Sequence, residues 1–160
     1  MTAMAAGARR GYTIIELMVV MAVLGILATA AMPLGELAAR RSKERELKAA
    51  LWEIRSAIDS YKQASDSGRI ARPSGASGYP PSLQALVDGV PDLQAGGQAM
   101  YLLRRIPRDP FAPAALAAAD SWGLRSYRSA PSQPQPGADV FDVYSLSERA
   151  GMNGTPYREW

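Results

Sequence analysis

Glu16 stands at the head of a segment that is otherwise apolar, "LMVVMAVLGILATAAMPL", in which the eighteen residues from Leu17 to Leu34 carry no charge and Thr29 is the one clearly polar side chain. A carboxylate at the centre of a membrane helix costs about 2.5 to 3.5 kcal/mol on insertion scales, so it needs a reason. Two reasons are open. Glu16 lies five residues beyond Gly11, about 7 Å along a helix, where headgroups and the positive end of the helix dipole would favour it. Alternatively it enters hydrocarbon and meets a cation supplied by another chain. Other side chains able to do chemistry are few. The absence of histidine and cysteine excludes imidazole and thiolate zinc sites, thiol nucleophiles, disulfides and every Ser/His or Cys/His pair. Asp109, Asp120, Asp139 and Asp142 remain as candidate carboxylate pairs, but their spacing places no two on one face beside a nucleophile or metal, so an enzyme is not expected.

The element that must position Glu16 is a long helix. Residues 12 to 34 would cover roughly 33 Å at 1.5 Å per residue, close to the hydrocarbon thickness of a bilayer. A buried helix of a soluble protein would keep a polar face, and this one has none. The segment is too long for the apolar core of a secretory signal, and no small-x-small site leads into a plausible mature start, so the anchor is expected to stay. Ala22, Gly25, Ala28, Ala30 and Ala31 supply the small residues that membrane helices use to pack. Pro33 lacks an N–H and predicts a kink or short unwound section over 25–33.

From Glu36 to Gln63 the pattern becomes amphipathic, with Leu47, Leu51, Ile54, Ile58 and Tyr61 at three- and four-residue steps and Trp52 at the edge of that stripe. Residues 65–81 are rich in Ser, Gly and Pro and read as a loop. "SLQALV" reads as a short helix. Two strands are expected over 123–128 and 140–145, joined by a Pro/Gln/Gly-rich connection. The formal charge is +3. Two of those charges are Arg9 and Arg10, so a chain without its first eleven residues would keep +1, which is no nucleic-acid footprint. Arg40, Arg41, Lys43 and Arg45 follow the apolar run and read as interfacial.

"G-YTIIELMVVMAVLGILATAAMP" resembles the leader and N-terminal helix of type IV pilins and type II secretion pseudopilins. The resemblance implies cleavage after Gly11 by a prepilin peptidase and N-methylation of Tyr12, a mild departure from the family's usual Phe. Glu16 would then neutralise the Tyr12 amine of a neighbouring copy, with Gly25 and Pro33 at the family's assembly-helix positions. "GYPPSLQALV", "LRRIPRDPF", "VFDVYSLS" and the closing "REW" are similar, more loosely, to the G-type major pseudopilin.

The implied fold is α+β and pilin-like: a long helix, half in membrane and half amphipathic, packed on a small antiparallel sheet. The implied division is a leader (1–11), a transmembrane polymerisation helix (12–35) and a periplasmic head (36–160). The implied function is a structural subunit of a pseudopilus in the bacterial inner membrane and periplasm, driving protein export. Its partners would be further copies, minor pseudopilins, the peptidase and the inner-membrane secretion platform. A type IV pilus or competence subunit that contacts DNA or surfaces, through Arg69, Arg72, Arg104, Arg105, Arg125 and Arg128, is the alternative. No cofactor is expected: the G-type protein holds Ca²⁺ in an aspartate-rich loop, whereas "SLSERAGMNGTPYREW" has no Asp and leaves Ser147 and Asn153 as weak ligand candidates.

Overall fold

The computed structural model describes residues 11–160, with the side chains of residues 30–33 outside the described set. The chain divides into two compact units, Met1–Arg40 and Arg41–Trp160. Helix α1 (Ile14–Asp66) supplies the first unit and the opening of the second. It runs through Pro33 without an unwound section. Within it the Thr29 hydroxyl donates back to the Ile26 carbonyl at 2.7 Å, which satisfies the one polar side chain of the apolar stretch locally.

In the second unit the stripe read from the sequence becomes the core. Leu47, Leu51, Ile54, Ile58 and Tyr61 are all buried, with Ala50, Ala57 and Ala64 between them. Trp52 is a correction to the sequence reading: it points out of the core and is 73% exposed. Helix α1 stops at Asp66, and Gly68 follows with φ 73°, a left-handed conformation that glycine reaches without the Cβ penalty. Around this ending the Arg69 and Ile70 amides return to the Ala64 carbonyl.

Against the buried stripe pack the short helix α2 (Gln84–Asp88) and two two-stranded antiparallel sheets. Strands β1 (Val90–Asp92) and β2 (Gln98–Met100) form the first, with Val90 opposite Met100. Strands β3 (Trp122–Arg125) and β4 (Asp142–Ser145) form the second, with Trp122 opposite Ser145. Leu86, Leu103, Trp122, Val140, Val143 and Tyr157 complete the core. Gly123 faces Tyr144 across this second pair, and a Cβ there would lie 2.3 Å from the ring, so only glycine lets the tyrosine cover the strand. The α+β class read from the sequence is therefore the observed one, with the antiparallel head built as two pairs.

One buried carboxylate fixes the middle of the second unit. Asp109 is fully buried, accepts from the Phe111 amide at 2.7 Å and from the Ser145 hydroxyl at 2.5 Å. Its own amide donates to Ser121 Oγ. "RDPF" is thereby tied to strand β4 and to the turn before β3. A buried acid with several donors is satisfied rather than reactive.

Candidate functional site

Gly11 and Tyr12 precede α1, and both are exposed, Tyr12 at 80%. The backbone that a peptidase would have to grip is therefore open. Thr13 is the residue from which the helix starts: its carbonyl accepts from the Glu16 and Leu17 amides, each at 3.1 Å. Its hydroxyl accepts from the Glu16 amide at 3.3 Å, and the Glu16 carboxylate reaches back to the Thr13 amide at 3.5 Å. Together these form a reciprocal capping box, in which the Thr13 and Glu16 amides each find a side-chain oxygen. The signature Thr-x-x-Glu is plain in "TIIE", and sequence reasoning passed over it. Glu16 thus has a local partner in a single copy, through Oε2 only, and Oε1 is left for a further donor.

Beyond the cap, Ile14, Ile15, Leu17, Met18, Val19, Val20, Met21, Val23, Leu24, Ile26 and Leu27 are 48–80% exposed. This part of α1 is long and apolar enough to cross a membrane, and its apolar stretch is not buried within the copy. Apolar surface of this extent needs lipid or other helices to cover it. At Gly25 an added Cβ would meet nothing, so the absence of a side chain serves no packing within the copy. The assignments to residues 1–10, and to the side chains of Ala30, Ala31 and Pro33, lie outside the described residues.

The weak cation candidates already have protein partners. Ser147 Oγ accepts from the Arg149 amide, and Asn153 Oδ1 from the Thr155 amide at 3.1 Å. Among the described residues no three His, Cys, Asp or Glu side chains gather around one point. What closes it is a carboxylate of α1: Glu44 Oε1 accepts from the Met152 amide at 2.8 Å and from the Tyr157 hydroxyl at 2.9 Å. Trp160 then packs edge-on against Tyr157, with ring centroids 5.0 Å apart.

The remaining candidate carboxylates and arginines are largely spoken for. Asp142 bridges Arg55 at 2.8 Å and Arg125 at 3.1 Å. Asp139 accepts from the Tyr127 amide at 2.8 Å. Asp120 stands exposed in a short 3-10 turn. Arg69 holds the nearly buried Asp92 at 2.5 Å, which keeps that carboxyl below its usual range, the hydrogen bond from Arg69 being the main cause. Arg72 pairs with Asp66 at 3.2 Å. Three of the six arginines considered for DNA are therefore ion-paired within the head, while Arg104, Arg105 and Arg128 are exposed.

Residues 7–32 match the family model described as the prokaryotic N-terminal methylation motif. The match takes in Gly11, Tyr12, Glu16 and Gly25, and with the apolar helix it supports a pilin-like subunit that is processed, methylated and anchored in a membrane. No curated protein and no solved structure matches the chain.

Proposed function

We propose that this chain is a structural subunit of a type II secretion pseudopilus. It is cut after Gly11, methylated on the amine of Tyr12, held in the inner membrane by residues 12–35 and extended into the periplasm as a head of residues 36–160. Copies add head-to-tail through their N-terminal helices, because one repeated interface that does not close gives a helical fibre. The single observation that carries this reading is the placement of Glu16. It is the lone acid of the apolar stretch that opens α1 and lies within the matched motif, so it is the natural partner for the amine freed on a neighbour. In low dielectric such a pair acts chiefly to fix register, since desolvation offsets much of its attraction. The head landmarks "GYPPSLQALV" and "VFDVYSLS" favour the pseudopilus over a pilus. On this reading the C-terminal loop is closed by Glu44 in place of a metal ion.

The test is a comparison of unaltered and Glu16→Ala chains in a strain that assembles the filament. Glu16→Ala should still be cleaved, because the cut lies five residues away, yet should enter filaments poorly. Incorporation at the unaltered level would remove the basis for the reading.

A further inference from the structure

Of the two aromatic side chains of α1, Tyr61 is buried and Trp52 is 73% exposed. Trp52 ends a row of exposed cations on one helix face, Arg41, Arg45 and Lys48, at steps of four, three and four residues. Lys48 Nζ additionally sits 4.6 Å from the Trp160 ring. About 100° around the same helix lies a groove of about 470 Å³. Its helix side carries the small Ala49 and Ala50 between the carboxylates of Glu46 and Glu53, and its far side is Arg105, Ile106, Pro107 and Arg108. Arg108 is committed to the carbonyls of Pro113 and Leu116. A cleft of this size falls in the range of about 300–1,000 Å³ that holds small ligands, a volume larger than an indole ring.

We propose that Trp52 of one copy inserts into the Ala49, Ala50, Ile106 and Pro107 groove of the next, with Arg45 and Lys48 set against Glu46 and Glu53. The inference rests on the filament reading and adds to it a second contact, made by the heads. Three properties favour a second copy as the occupant. The cationic row that flanks the knob meets two acids on the receiving wall. The floor is built of alanines, where a large rigid ring gains most by excluding water, and tryptophan is the residue most enriched in such anchoring positions. Knob and groove lie on different faces of one molecule, so the contact is heterologous and propagates without closing. Arg105, exposed on the far wall, adds a guanidinium that an indole face accepts well.

The chain has no cysteine, so introduced ones report on themselves alone. A full-length Lys48→Cys/Glu53→Cys variant is expressed where filaments assemble and is then mildly oxidised. Within one copy these positions are five residues apart on a helix, about 7.5 Å along the axis, beyond what a disulfide spans. The proposal expects a ladder of dimers, trimers and higher species from the double variant and no ladder from either single variant. It also expects Trp52→Ala to lower filament yield by about tenfold or more and Trp52→Phe to retain most of it, with the thermal midpoint of the head unchanged in both. Filaments of the double variant without a ladder, or Trp52→Ala filaments at the unaltered level, overturn the proposal and leave polymerisation through the N-terminal helix standing. Failure of the unaltered chain to form filaments overturns both.

Discussion

In a single copy Glu16 reaches back to the Thr13 amide at 3.5 Å while Thr13 Oγ1 accepts from the Glu16 amide at 3.3 Å. Replacing Glu16 by alanine therefore removes a helix cap and a charge together, the cap alone being worth about 0.5 to 2 kcal/mol. Glutamine separates the two, because its amide oxygen can still complete the box while it cannot neutralise an amine. Glu16→Gln should keep the helicity of the first turn and assemble as poorly as Glu16→Ala; filament yield near that of the unaltered chain would assign Glu16 to capping alone. The sequence carried signs of both the observed cap and the proposed pairing. Its acid was conspicuous against an apolar background, and its cap was spelled by Thr-x-x-Glu. Asp109 was not legible in the same way, since its duty depends on Ser121 and Ser145, 12 and 36 residues further along.

Among the elements, α1 was read closely because a buried stripe at three- and four-residue steps leaves a strong periodic trace, whereas β1 and β2 left none. Each is three residues long, Pro91 sits inside β1, and no apolar alternation marks either. What holds that hairpin is tertiary: Arg69 on Asp92, the Asp92 carboxylate on the Gln94 amide at 3.0 Å, and the Leu93 amide on the Arg69 carbonyl at 2.8 Å. Asp92 has its pKa lowered in the folded chain, chiefly by the Arg69 hydrogen bond. Its contribution is fully present above the ordinary carboxylate value and is lost as pH falls through the folded one. Thermal midpoints of the chain should thus begin to decline below about pH 4, and Asp92→Asn should be less stable at neutral pH with a shallower acid decline. A decline of equal steepness in that variant would place the acid sensitivity elsewhere. The C-terminal loop allows a second measurement at this scale. With Glu44 closing it, a chelator should leave the thermal midpoint unchanged, while Glu44→Ala should cost about 1 kcal/mol by removing the acceptor shared by the Met152 amide and the Tyr157 hydroxyl. Stabilisation by added Ca²⁺ would contradict this.

For the molecule as a whole, one helix carries two kinds of surface. Up to Leu27 its exposed residues, Glu16 apart, are apolar; from Leu47 one stripe is buried under a head and the opposite faces carry charge and Trp52. A sequence makes the first surface obvious by composition and the second by period. It does not disclose which exposed residues line a groove, because Ala49 and Ile106 are brought to one cleft only by the fold. On the proposed reading, such a chain polymerises in lipid only after a new amine has been made at Tyr12. The most direct test is the intact mass of the chain extracted from membranes. A product that begins at Tyr12 and carries one added methyl group is expected. An unprocessed chain, or one that begins at another residue, contradicts cleavage after Gly11 and leaves Glu16 without the cation it is proposed to meet.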